Sequence, residues 1–165
     1  MGVKSVDVYS LGVYVDAPAL AARARGAAAV GDALLASLAD DPALPKTVRI
    51  VVTSGLITGP RFVKGVKESL LPALTARGAA STFDSFAALF DGARFSKGTE
   101  IVMSNAGDGS LAVAIDGKPA GAVRHPAFAL ALFSLYLGAA PVSPDGKASV
   151  AAGVEAVRAM AAAEA

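Results

Sequence analysis

The dipeptide Asp116-Gly117 constrains this chain more than any other feature. A two-residue type I′ turn needs positive φ at both central positions, and Asp-Gly meets that need at little cost. Before it, Ser110 to Ile115 alternates, with Leu111, Val113 and Ile115 on one face and Ser110, Ala112 and Ala114 on the other. After it, Lys118 to Val123 reads as the return strand, which predicts Ala122 opposite Leu111 and Ala120 opposite Val113. The other face, Ala112, Ala114, Pro119 and Gly121, carries little but methyl groups and backbone, so a helix or ligand is expected to approach it closely. Upstream, Ile101-Val102-Met103 is a strand that enters the turn residues Asn105-Ala106-Gly107-Asp108-Gly109. Downstream, Pro126 suits the first turn of a helix. There Phe128, Leu130, Leu132, Phe133, Leu135, Tyr136 and Leu137 are apolar on every side, so the helix should be buried, with Gly138 as its stop.

The rest of the chain supplies two further strands and their covering helices. Ser5 to Val15 reads as a strand with Tyr9, Leu11, Val13 and Val15 on one face and Val6, Val8, Gly12 and Tyr14 on the other. Asp16 can cap a helix entered through Pro18, and the alanine-rich run to Leu38 is helical but interrupted at Gly26 and Gly31. Thr47 to Ser54 is a strand with Val48, Ile50 and Val52 facing one way. In the helix after Pro60, Phe62, Val66, Leu70 and Leu74 recur every four residues, Pro72 is expected to kink it and Gly78 to end it. Ser81, with Asp84 three residues on, suggests a loose capping box for a short helix buried through Phe83, Phe86, Ala87 and Phe90. Ser143-Pro144 starts a last helix reaching about Ala162. Strands, then helices, then strands suggest an α+β fold with an antiparallel sheet.

Length and composition exclude several functions. At 165 residues the chain suits one domain, 1–165, with no internal repeat or interdomain linker. A net charge of +1 creates no large field to attract nucleic acid or anionic lipid surfaces. Without cysteine, and with one histidine, disulfides, thiolate zinc sites and imidazole metal clusters are excluded, so neither a metal nor another cofactor is expected. No apolar run approaches the roughly 18 residues of a membrane span. The first residues lack the apolar core of a signal peptide.

Few side chains invite chemistry. His125 directly precedes Pro126 at a helix entrance, where capping explains it better than acid–base catalysis. Gly55 to Gly59 lacks the Gly-Lys-Ser/Thr ending of a phosphate loop and reads as a strand-to-helix turn. Arg61, Lys64 and Lys67 read as a solvated helix face. Tyr9, on the face of Leu11 and Val13, is expected to be largely buried, so its phenol needs either a backbone partner or a ligand.

Four motifs in order resemble the chalcone isomerase family over nearly the whole chain, and within it the non-catalytic, fatty-acid-binding branch. They are Val8-Tyr9-Ser10-Leu11-Gly12-Val13-Tyr14-Val15-Asp16; Thr58-Gly59 before a helix; Gly109 to Lys118; and Leu132 to Gly138 followed by Pro141-Val142-Ser143-Pro144. The resemblance implies an open-faced β-sandwich, an antiparallel sheet covered on one side by a layer of helices, with a ligand between sheet and helices. It places that ligand against Tyr9, Leu11, Ile57, Phe62, Val66, Ser69, Ser134 and Leu135. In the fatty-acid-binding branch a tyrosine at the position of Tyr9 and an upstream arginine hold the ligand carboxylate. That arginine belongs on a strand preceding Tyr9, further upstream than this sequence extends, so the N-terminal strand is expected to be trimmed or the clamp absent. Neither Arg49 nor Arg61 stands at its motif position.

Carried over residue by residue, the catalytic pattern of the family fails. Tyr9 stands where the enzymes have threonine, Phe62 where they have the catalytic tyrosine, Ser69 where they have asparagine, and Ser134 or Leu135 at the last polar position. Losing the phenol at Phe62 removes a donor that settles charge on the ketone oxygen. No catalytic residue is therefore expected. The resemblance favours a monomeric fatty-acid-binding protein of the chloroplast stroma, or otherwise of the cytoplasm. A chalcone–flavanone isomerase taking chalcone or flavanone, and a ligand-free helper whose cleft is filled by side chains, are the alternatives.

Overall fold

The computed structural model describes residues 9–164. One five-stranded antiparallel sheet runs in chain order: β1 (Tyr9–Val15), β2 (Lys46–Val52), β3 (Glu100–Asn105), β4 (Leu111–Ile115) and β5 (Lys118–Val123). In the chain, α1 (Ala17–Ala24) and α2 (Asp32–Ala39) separate β1 from β2, and α3 (Gly59–Ala76) and α4 (Thr82–Ala88) separate β2 from β3. Helices α5 (Pro126–Leu137) and α6 (Pro144–Ala163) follow β5. The expected strand from Ser5 is seen from Tyr9 onward; residues 5–8, Val6 and Val8 among them, lie outside the described residues.

Alternation decides what each face of the sheet meets. β2 buries Val48, Ile50 and Val52 while Arg49 faces out, its Nε 2.7 Å from Oε2 of Glu100 on β3. Ile101, Met103, Leu111, Val113 and Val123 extend the buried face. Helix α5 lies over it with Phe128, Leu132, Phe133 and Leu137 buried, and the Phe86 ring of α4 packs on Phe128 at 5.0 Å between centroids. Each such side chain contributes about 1.5–3 kcal/mol by leaving water. Leu20, Leu35, Leu38, Leu44 and Val154 form a smaller cluster joining α1, α2 and α6.

The hairpin turn is as expected, with Asp116 at φ 51° and Gly117 at φ 76°. The register is not. Val123 pairs with Leu111 and Gly121 with Val113, because the ladder slips by one residue between Val113 and Ala114. The physical gain is on the inner face: the slip turns Val123, 2% exposed, toward the core and leaves the smaller Ala122 outside. Gly121, at φ 140°, thereby meets Leu89 at the end of α4, whose Cδ2 would lie 2.6 Å from any Cβ there. The close helix approach expected on the small-residue face thus happens at Gly121, on the side of the helices.

Helix starts follow their caps. Side-chain oxygens of Asp16, Thr58 and Ser143 accept from Ala19, Arg61 and Gly146 N–H groups, and His125 Nδ1 accepts from Ala127 N–H at 3.2 Å. Ser81 makes no such bond. The chain leaves the Gly78 turn already helical, with Ser81 at φ −65° and ψ −20°, so it lacks the extended backbone that a capping serine needs. The interruption at Gly26 and Gly31 separates α1 from α2, whereas α3 runs through Pro72 as one helix.

At the far end of β2 from α3, Lys46 is 2% exposed. Its Nζ donates to the carbonyls of Leu38 (2.7 Å), Ala39 (2.9 Å) and Asp41 (2.9 Å), all three donors being used to close the C-terminus of α2. Burial lowers its pKa to about 8, against the opposing pull of the Asp41 and Asp40 carboxylates. Asp41 is itself held below the usual carboxylate range by its hydrogen bond from Arg23.

Candidate functional site

A cleft of about 390 Å³ opens between the start of β1, the first three turns of α3 and the end of α5. Thr58 and Pro60 fix where α3 begins, and helical spacing then sets Phe62, Val66 and Ser69 along the cleft wall. Phe62 is clamped from behind, its ring 5.3 Å from Phe90 and 5.6 Å from Phe95. Ile57 closes the wall before α3, and Ile50 of β2 forms the floor. From the other side come Leu135, Tyr136 and Val142, the last tied back by its N–H to the Leu135 carbonyl at 2.8 Å.

Of the eight expected ligand residues, Tyr9, Ile57, Phe62, Val66, Ser69 and Leu135 line this one cleft. Leu11 and Ser134 do not. Leu11 lies on a separate recess between β1 and α6, with Val13 and Val15. Ser134 turns back into its own helix, its hydroxyl donating to the Ala131 carbonyl at 2.7 Å, because the helical phase that points Leu135 and Tyr136 at the cleft rotates Ser134 away. Tyr9 is 43% exposed rather than buried, because β1 is an edge strand among the described residues and Tyr9 is its first described residue. Tyr9, Phe62 and Leu135 do not fill the space between them.

The wall has residues that sequence reasoning missed. Arg61 and Glu68 stand seven apart on the flank of the Phe62–Val66–Ser69 stripe, a spacing that marks them as neighbours of the cleft. One N–H of the Arg61 guanidinium donates to the Leu56 carbonyl at 3.0 Å, and its other donors have no partner among the described residues. Lys64 instead lies 3.9 Å from Glu68 at the surface, and Lys67 sits 5.7 Å from the centroid of the Phe83 ring. Tyr136, read as one more apolar residue of α5, is the other omission. It is 9% exposed, it lines the cleft, and its hydroxyl has no hydrogen-bond partner among the described residues. Burial, and then the nearby Tyr9, push its pKa well above the ordinary tyrosine value.

Chemically the cleft is an apolar slot with one cation, one carboxylate, two phenols and a serine hydroxyl. Among the described residues no group of three His, Cys, Asp or Glu side chains gathers to hold a metal, and no helix is long and apolar enough to cross a membrane.

Comparison with known proteins agrees with this fold. The sequence profile described as chalcone isomerase-like matches residues 3–150. No curated protein sequence matches. The crystal structure of the Arabidopsis thaliana fatty-acid binding protein AtFAP1 superposes with a TM-score of 0.85 at 19% identity, covering 96% of this chain and 83% of that one.

Proposed function

The chain belongs to the chalcone isomerase-like family, and from that premise we propose that it is a non-catalytic protein that holds a fatty acid in the cleft between sheet and helices. The observation that carries this reading is the unspent polarity of an otherwise apolar slot. Tyr136 offers a phenol that opens onto the cleft with no partner among the described residues, and Arg61 offers free guanidinium donors beside the same walls. A hydrogen bond from such a donor to a charged ligand group is worth roughly 1.5–3 kcal/mol, so a ligand that accepts from them gains that energy on binding. A carboxylate does so with charge-assisted bonds, while its acyl chain covers Ile50, Ile57, Phe62, Val66, Leu135 and Val142. The likeness to a fatty-acid-binding structure supports the same ligand class.

The isomerase alternative finds less support. Phe62 brings no hydroxyl, and its ring is wedged between Phe90 and Phe95 rather than free to be replaced by a neighbour. A plastid role belongs to the fatty-acid reading, and imaging a fluorescent fusion of the full-length protein tests it. The ligand itself is tested by native mass spectrometry of purified protein together with titration of a fluorescent fatty acid. A co-purified acyl chain and saturable binding that Arg61→Ala weakens are expected. Protein that is always empty and does not bind, or that converts chalcone to flavanone far above the spontaneous rate, overturns the proposal.

A further inference from the structure

Among the described residues, the strongly exposed large apolar side chains are Tyr9 (43%), Tyr14 (56%), Leu56 (63%), Val142 (50%) and Met160 (65%). Tyr14 stands on the outer face of the sheet and Met160 on α6. The other three surround one opening: Tyr9 and Val142 are on the cleft wall, and Leu56 is in the turn immediately before Ile57. A single exposed apolar residue is ordinary, but three around the mouth of one apolar slot form a patch.

Cations lie at the same end of the molecule. Arg61 and Lys64 lie in the first turns of α3, and Arg94 and Lys97 lie in the loop between α4 and β3, all four exposed. That loop is fastened to the same end of the molecule. The Phe95 ring meets Phe62 at 5.6 Å, the Ala93 carbonyl oxygen lies 3.1 Å from where a Cβ on Gly59 would be, and Gly98 N–H donates to the Val52 carbonyl at 2.7 Å. Arg61, Arg94 and Lys97 have no carboxylate within ion-pairing distance among the described residues, and Lys64 reaches Glu68 only at 3.9 Å. Elsewhere Arg23, Arg49, Arg77, Lys147 and Arg158 are each paired with a carboxylate, while Arg25, Lys67, Lys118 and Arg124 stand singly rather than gathered beside an apolar opening. Asp91 and Glu68 are the acids of this region, fewer than its cations.

We infer that this rim docks on an anionic phospholipid bilayer, with Leu56, Val142 and Tyr9 entering the headgroup boundary and the four cations meeting lipid phosphates. Apolar insertion and electrostatic attraction together are what hold a peripheral protein at such a surface. An acidic protein partner would also satisfy the cations, but it gives no reason for three separate apolar tips around a lipid-sized opening. Docking does not depend on what the cleft holds. Its purpose, passing the ligand between cleft and bilayer without crossing water, rests on the fatty-acid reading above.

The test is flotation of the full chain with vesicles of phosphatidylcholine alone and with added phosphatidylglycerol. The protein is expected to float only with the anionic vesicles and to be released by salt. Reversing two cations in Arg94→Glu/Lys97→Glu should weaken the association by at least about tenfold. Leu56→Ser should weaken it severalfold, and because all three positions are exposed the melting temperature should not move. Failure to float with anionic vesicles, equal flotation with both compositions, or indifference to the charge reversal overturns the inference. Titrating the same proteins with a fluorescent fatty acid in vesicle-free buffer separates the two readings. Protein that floats but binds no fatty acid keeps the docking and loses the cargo, and protein that binds fatty acid but does not float does the reverse.

Discussion

Lys46 and Arg61 stand at opposite ends of β2, a strand about 20 Å long, and the two regions treat a cation in opposite ways. Around Lys46 every donor is used: three carbonyls surround the ammonium, and the Phe133 ring lies 5.0 Å from it. Around Arg61 most donors wait, and the phenol of Tyr136 waits with them. A polar group enclosed by its own chain is a fastening, and one left unmatched beside apolar walls is an invitation to a ligand. The same contrast separates His125, used up in capping α5, from Tyr136, which nothing in its helix employs.

This contrast breaks most visibly at Lys46. Lys46→Met leaves the Leu38 and Ala39 carbonyls buried without their ammonium donor, and the Asp41 carbonyl with only the Leu44 N–H at 3.4 Å, and should destabilise the protein by about 3 kcal/mol in urea unfolding, while fatty-acid affinity of the folded protein stays the same. A small loss, or a loss of affinity as large as that of stability, would erase the distinction.

The pH profile sharpens it next. With the folded pKa near 8 and the unfolded one near 10.5, the unfolded chain holds a proton in that window that the folded one has shed, so stability rises with pH. Between pH 8 and 10 the rise should be about 1–2 kcal/mol in the native protein and absent from Lys46→Met. Tyr136 has the opposite sign: its raised pKa keeps a proton that the unfolded chain loses above about pH 10, so stability falls there, and Tyr136→Phe removes that fall.

At the open end the effects move from stability to binding. Tyr136→Phe discards a hydroxyl that no described residue uses, so it should leave the denaturation midpoint in place while weakening fatty-acid binding about tenfold, measured by fluorescence titration. Tyr9→Phe, at an exposed position, should cost a few-fold in affinity and nothing in stability. Unchanged affinity in both would remove the phenols from the ligand's surroundings.

Much of this architecture is legible without coordinates. The Asp116-Gly117 turn, the buried α5 and the apolar stripe of α3 all follow from local rules that act over a few residues. What escaped depends on longer relations. The slip that brings Val123 inward is decided by the core across the sheet, and the exposure of Tyr9 by its place at an edge. The cleft was half legible for the same reason. Motif counting found Phe62, Val66 and Ser69 because they lie on one helical stripe, but it stopped at Leu135 and passed over Tyr136, whose phenol reads as one more apolar residue of α5 until its surroundings are known. Arg61 escaped because its motif position gave it no role, whereas its place on the α3 surface puts it on the wall.

The sheet order has a consequence for how the slot admits a guest. Among the described residues β1 is laddered to β2 alone, whereas β2 is gripped by both β1 and β3. Amide protons of β1 should therefore trade with deuterium well before those of β2, since opening an outermost strand breaks one ladder instead of two. Tyr9 thus hangs on the most easily parted board of the wall, and under the fatty-acid proposal a bulky tail enters by unlatching that board while the rest of the frame stands.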